Sequence, residues 1–346
     1  MSRLNFDDPL AGTPYRTLGW IGSGGMGEIV EAEHAALGRR VVIKLLHRHL
    51  GHRRDMMDRM RLEAQALGRV EHPNVVAPID FGVNHEGRPY LVMERLRGRT
   101  LRDELAARGS LPAADAVALI AQALDGLAAV HRAGLCHRDV KPENIFVCDA
   151  ATDQGRTVKV LDLGLAKVMG AAGVPPGDRR PLAPPLWPTA EDISLGTPRF
   201  FSPEQATGAP VDARSDIYAM GAVLYALVAG RGPFDHLHDI AELLAAHAHT
   251  TPEPPSRWAP APLSPALEAT ILTALEKRPA DRFPSATAFA AALRANAAPL
   301  VTAHPTPAPT RPAPRSPRLV PLFFQVLAAS FAVSALCTAA LRAVFR

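Results

Sequence analysis

Apolar and polar positions alternate in two short runs over residues 15–35, separated by Gly22-Ser23-Gly24-Gly25-Met26-Gly27, and a third run, Val41-Val42-Ile43, ends at Lys44. Period-two alternation with β-branched residues predicts strand, turn, strand, and then another strand. From 53 to 69 the period lengthens. Met56, Met60, Leu62, Ala66 and Leu67 fall on one side of a helix, with Glu63 in the middle. Two strand-like runs follow near 75–83 and 88–93, after which Glu94-Arg95-Leu96 enters a polar linker. Between 113 and 131, Val117, Ile120, Leu124, Leu127 and Ala128 recur at three and four, the spacing of a long amphipathic helix. Residues 145–147 and 157–161 read as short strands. The fourteen residues 217–230 carry no charge and predict a helix buried on every side, too short to span a bilayer. A last helix is expected at about 284–294.

Beyond it the pattern changes. Ala297 to Arg318 holds seven prolines, three Arg and no acid, the composition of an extended linker. Leu319 to Leu341 is then twenty-three residues without a charge, long enough as a helix for a hydrocarbon core of roughly 30 Å. Arg311, Arg315 and Arg318 before this span and Arg342 and Arg346 after it give a small excess of positive charge on its N-terminal side, which places that side in the cytoplasm. At the N-terminus the apolar positions Leu4, Phe6 and Leu10 after Met1 are broken by Asp7, Asp8 and polar residues, which does not read as a signal peptide.

Charge refines this picture. The 346 residues carry a net +4, but from Arg282 onward there are seven Arg and no Asp or Glu, leaving 31 basic against 34 acidic residues in 1–281. The basicity belongs to the tail, so a nucleic-acid partner is not expected. Cys136, Cys148 and Cys337 lack the spacing of a disulfide framework or zinc site. His236, His238, His247 and His249 lie close together without a cysteine and read as solvated surface.

The densest chemistry lies in His137-Arg138-Asp139-Val140-Lys141-Pro142-Glu143-Asn144. A carboxylate at Asp139 can accept a hydroxyl proton, Lys141 can neutralise charge on a moving phosphoryl group, and Asn144 can ligate a metal ion. The glycines at 22–27 let backbone N–H groups approach phosphate oxygens, and a strand follows them where a dinucleotide fold would open a helix. Lys44, ending its strand, can reach the α and β phosphates.

These eight residues closely resemble the catalytic loop of eukaryotic-like protein kinases, and the chain resembles the bacterial serine/threonine members of that family. The resemblance implies an α+β, bilobal fold: an N-lobe of antiparallel sheet plus one helix over 15–94 and a mainly helical C-lobe over 97–296. The extension 1–14 would precede this domain, and the linker at 297–318, a transmembrane helix at 319–341 and a short tail at 342–346 would follow.

The same resemblance assigns roles. Asp139, Lys141, Lys44 and Glu63 would be catalytic, Glu63 pairing with Lys44 nineteen residues earlier. ATP would lie against Ile21, Gly22, Ser23, Gly24, Gly25, Met26, Gly27, Ile29, Val42, Lys44 and Asn144, with Met93 behind the adenine and the backbone of Glu94 and Leu96 on its edge. Asp162-Leu163-Gly164 resembles the family's D-F-G, so Asp162 and Asn144 would hold magnesium, with manganese as a substitute. Ser202-Pro203-Glu204 stands where the family has A-P-E, Arg282 would pair with Glu204, and Asp216 would hydrogen-bond the catalytic loop.

Val42, Leu163 and Ser202 depart from the usual pattern without removing a catalytic group. Residues 165–204, rich in Pro and Gly over 170–188, read as an activation segment on which Thr189, Ser194 and Thr197 are phosphorylation candidates, while Glu191 reads as a solvated acid that could supply part of that charge. Lys141 and Thr197 together favour Ser and Thr over Tyr. The expected function is phosphoryl transfer from ATP to Ser and Thr of protein substrates in signalling at the inner membrane, with autophosphorylation on the activation loop; Ser330, Ser334 and Thr338 recur every four residues, a spacing that would suit a homodimer and that Ala-rich spans also show by chance. The alternative is a membrane-anchored pseudokinase scaffold. Its sequence mark is loss of Lys44, Asp139 or Asp162, and all three are present.

Overall fold

A computed structural model describes residues 8–24, 27–51, 53–149, 155–162 and 198–297. The expectations for Gly25, Met26, Leu163, Gly164, Thr189, Glu191, Ser194, Thr197, most of the linker at 297–318 and the span at 319–341 lie outside the described residues.

Five strands form the first sheet: β1 (Tyr15–Ser23), β2 (Gly27–His34), β3 (Arg40–Leu46), β4 (Pro78–Val83) and β5 (Pro89–Glu94), in the order β1-β2-β3-β5-β4, all antiparallel. Side chains alternate between the faces of a strand. Val41, Ile43 and Leu45 therefore enter one apolar cluster with Val30, Ala32, Tyr90 and Val92, while Val42 and Lys44 point the other way. Helix α1 (Arg54–Leu67) lies on that second face. Its Met56, Met60 and Leu67 are buried, whereas Leu62, expected with them, is 43% exposed. Leu62 directly precedes Glu63 in the helix, so the turn that buries Glu63 rotates Leu62 toward solvent.

Leu10, upstream of the expected domain start, is fully buried with Tyr15 and Val30. Asp8 ties this segment down by accepting from the Thr17 hydroxyl at 2.6 Å, and the Asn84 amide donates to Pro9 O at 2.8 Å. Residues 8–14 thus pack as part of the N-terminal lobe.

The C-terminal lobe contains a small sheet, β6 (Gly98–Thr100), β7 (Ile145–Cys148) and β8 (Thr157–Val160). Its helices are α2 (Leu101–Arg108), α3 (Ala113–Arg132), α4 (Pro203–Thr207), α5 (Ala213–Ala229), α6 (Ile240–His249), α7 (Pro265–Ala274) and α8 (Ala286–Ala297). Helix α5 is buried from Ser215 to Ala229, as the uncharged run at 217–230 predicts for most of that stretch, and joins α3, α7 and α8 in the main core. Gly221 permits this, because a Cβ there would stand 2.8 Å from that of Ala274.

His247 is a correction: it is fully buried rather than solvated, although His236, His238 and His249 are exposed. Its ring packs edge-on against Phe234 and Tyr218, and the Tyr218 hydroxyl lies 3.1 Å from Nδ1. Helical spacing decides the difference, since Leu243, Ala246 and His247 share the inward face of α6.

Candidate active site

Strand register assembles the upper wall of the cleft. Ile29 stands opposite Lys44 across β2–β3, and Val42 opposite Met93 across β3–β5. Val42 and Leu96 pack on the cluster that contains Met93, giving an apolar slot beside a lysine. Ile21 is 56% exposed and stands apart from that cluster. At the glycine turn, a Cβ on Gly27 would stand 2.4 Å from Leu45 O, so packing alone requires glycine there. Gly22 and Gly24 differ. A Cβ on either would meet nothing within 4 Å, so their missing side chains leave open room above the cleft. Gly24 is tied at both ends, its N–H donating to Gly27 O at 2.8 Å and its carbonyl lying 2.7 Å from the His47 Nε2.

Lys44 is the hub. Its Nζ lies 3.0 Å from Glu63 Oε1, presented by α1, and 3.2 Å from Asp162 Oδ1, just after β8. Burial alone would push the ammonium pKa down. The carboxylates of Asp162 and Glu63 outweigh it and hold Lys44 above the usual lysine range. Both carboxylates thus face a fixed positive charge at the point where three chain segments meet.

The lower wall is the loop from His137 to Asn144, expected to be catalytic. Lys141 Nζ sits 2.9 Å from Asp139 Oδ2, and the Asn144 amide donates to Asp139 O at 2.8 Å and Oδ2 at 3.1 Å. Proline at 142 starts the short turn Pro142–Asn144 that carries Asn144 back over Asp139. Arg138 and Asp162 are the two non-glycine residues with positive φ among the described residues, at 63° and 36°. Such backbone costs on the order of 1–3 kcal/mol and persists only where neighbours enforce it.

Asp216 is one such neighbour at Arg138. Fully buried at the start of α5, it accepts from the backbone N–H groups of His137 and Arg138, each at 2.8 Å, and lies 2.7 Å from the His131 Nε2. Burial pushes its carboxyl pKa up, yet the His131 contact and these backbone donors bring it below the usual aspartate range. Behind it, Arg282 donates two parallel hydrogen bonds to Glu204, at 2.8 and 2.9 Å, and Ser215 donates a third. Burial raises the Glu204 pKa, and these bonds outweigh it. The Arg282 guanidinium also reaches the carbonyls of Arg214, Glu276 and Lys277.

The structure therefore brings Lys44, Glu63 and Asp162 into one contact set, Asp139, Lys141 and Asn144 into another, and Glu204, Asp216 and Arg282 into the support beneath. Sequence reasoning passed over three participants. His47 carries no motif. Lys159, whose Nζ is 2.6 Å from Glu94 Oε1, is readable only once β8 is placed. Gln205, whose amide donates to Arg138 O at 2.8 Å, does have a signal in the Ser202-x-x-Gln205 spacing of a capping box.

A family model described as the protein kinase domain matches residues 15–292. Serine/threonine-protein kinase Pkn1 of Myxococcus xanthus is 39% identical over 290 residues, which are 83% of this chain and 39% of that protein. The kinase pkn3 of the same organism is 39% identical over 81% of this chain and 49% of its own length. PknB of Mycolicibacterium smegmatis is 36% identical over 84% of this chain and 43% of itself. The chain thus spans half or less of the length of these curated relatives. In fold it is similar to the PknI kinase domain of Mycobacterium tuberculosis, with a TM-score of 0.61 at 23% identity over 82% of this chain and 96% of that one.

Proposed function

The chain belongs to the protein kinase domain family, and from that premise we propose that it transfers the γ-phosphoryl group of ATP to Ser and Thr hydroxyls of proteins. The observation that carries the reading is the pair of contact sets facing one cleft: Lys44 between Glu63 and Asp162, and Asp139 between Lys141 and Asn144. Phosphoryl transfer asks for positioning and charge neutralisation more than covalent chemistry. Lys44, oriented by Glu63, holds the phosphates beneath the open turn at Gly22 and Gly24. Adenine fills the slot formed by Val42, Met93 and Leu96, its edge hydrogen-bonded by the backbone of Glu94 and Leu96. Asp139 orients the substrate hydroxyl and accepts its proton, while Lys141 offsets the charge that develops on the transferred group.

Asp162 and Asn144 would hold magnesium, or manganese in its place. Their oxygen donors suit a hard cation that completes its shell with phosphate and water, and no group of three His, Cys, Asp or Glu side chains converges among the described residues. Bound there, the ion supplies neutralisation of the phosphate oxygens.

The proposal extends to autophosphorylation at Thr189, Ser194 or Thr197 and to attachment at the inner membrane through 319–341. Among the described residues one helix, Ala113–Arg132, is long and apolar enough to cross a membrane, and it is core to the C-terminal lobe. Attachment therefore rests on the later span alone. Incubation of the full chain with labelled ATP and magnesium tests the function. Wild type should incorporate label and Asp139→Asn should lose it by about 10²–10⁴-fold. Equal incorporation by the two would overturn the assignment.

A further inference from the structure

We infer that Gln205 is a positioning residue for Asp139, tying the segment after the activation loop to the peptide that carries the base. The inference rests on the kinase reading and goes beyond its expected residues. The peptide between Arg138 and Asp139 is held at both ends. Its N–H donates to His137 Nδ1 at 3.3 Å, and its carbonyl accepts from Gln205 Nε2 at 2.8 Å. His137 is fixed in turn by its Nε2, 2.8 Å from Leu161 O, and Arg138 N–H by Asp216 Oδ1.

With φ at 63°, Arg138 has no intrinsic preference for this conformation, so these hydrogen bonds determine where its carbonyl points and where Asp139 begins. His137, Leu161 and Asp216 belong to the catalytic loop and its immediate supports. Gln205 alone among these partners comes from α4, at the far end of the segment that starts at Asp162.

The same side chain also caps its helix. Gln205 Oε1 accepts from Ser202 N–H at 3.1 Å while Ser202 Oγ accepts from Gln205 N–H at 3.3 Å. One amide therefore serves two purposes through different atoms, the oxygen for the cap and the nitrogen for the bridge. Glutamate separates them. It is an established partner at this position of a capping box and suits a helix N-terminus, but it has no donor for the Arg138 carbonyl.

The test compares Gln205→Glu with Ser202→Ala, which weakens the cap and leaves the bridge. Gln205→Glu should keep the wild-type melting temperature, lose about tenfold or more in kcat through misplacement of the base, and keep KM for ATP within about twofold. Ser202→Ala should melt earlier and keep kcat within about twofold. Wild-type kcat in Gln205→Glu overturns the inference, as does an equal kcat loss in Ser202→Ala, which would assign the effect to the cap. Should Gln205→Glu fail to fold, Gln205→Met removes cap and bridge together, and a kcat no lower than that of Ser202→Ala would overturn the inference. A wild type that transfers nothing overturns the kinase reading along with this inference, whereas an active wild type matched by Gln205→Glu overturns this inference alone.

Discussion

Asp139 and Lys44 face the same cleft, yet what stands behind them differs. Beneath Asp139, three fully or nearly fully buried charged groups, Asp216, Glu204 and Arg282, spend their hydrogen bonds on backbone of the catalytic loop, on each other and on the carbonyls of Arg214, Glu276 and Lys277. Around Lys44 the order comes from strand pairing and two carboxylates, Glu63 on α1 and Asp162 just after β8, with the glycine turn above held through Gly24. Removing any partner from the lower network leaves a buried charge uncompensated. Glu63 is buried as well, but when α1 shifts Lys44 keeps a second carboxylate in Asp162, so the upper set gives up one of two ion pairs. The lower half is therefore built to stay, and on the proposed function the upper half is where placement of an element would control the chemistry.

The largest effect should come from breaking the lower half. Arg282→Met leaves Glu204 buried without its guanidinium and should destabilise the C-terminal lobe by about 3–5 kcal/mol in denaturant unfolding. A loss near zero would mean the pair is not a support. The upper half should respond the other way. Glu63→Gln ought to lower kcat/KM for ATP by about 10–100-fold through mispositioning of Lys44, with little change in melting temperature. A stability loss as large as that of Arg282→Met would erase the contrast.

Acid probes the lower lobe more gently. Burial, reinforced by Lys277, holds His247 neutral with a pKa of about 3 against its ordinary 6.5. Between those values the unfolded chain binds the extra proton, so stability is complete above pH 6.5 and falls as pH drops. His72, also depressed by burial, adds in the same direction. Melting temperature should fall by about 5 °C from pH 7 to 5, and His247→Gln should remove most of that slope. An unchanged slope in the variant would assign it elsewhere. The smallest effect is expected at the turn: His47→Ala should raise KM for ATP about two- to fivefold and leave kcat alone.

The contrast also explains what could be read from the sequence. Period 3.6 set Glu63 among the apolar positions of α1, where it is buried, because local periodicity sets which way a side chain points. The charge-free run at 217–230 announced α5 for the same reason. Leu62 went astray because it faces whichever way its helix is pressed, and that depends on partners distant in sequence; His247 shares the face of Leu243 and Ala246, so helical spacing alone would have placed it. Leu10 went astray because its packing surface is a finished sheet. Asp139 and Asn144 offered a chemistry but no place, and Asp162 was legible only through resemblance, since the contacts that gather these residues join loops. Gln205 escaped notice because its cap is local but its bridge spans sixty-seven residues.

Identification of the modified amino acid after transfer from labelled ATP to a Ser-, Thr- and Tyr-bearing protein substrate tests the central claim most directly. Asp139 beside Lys141 predicts phosphoserine and phosphothreonine with magnesium, both lost in Asp139→Asn. Phosphotyrosine as the main product, or label that persists in Asp139→Asn, would contradict it.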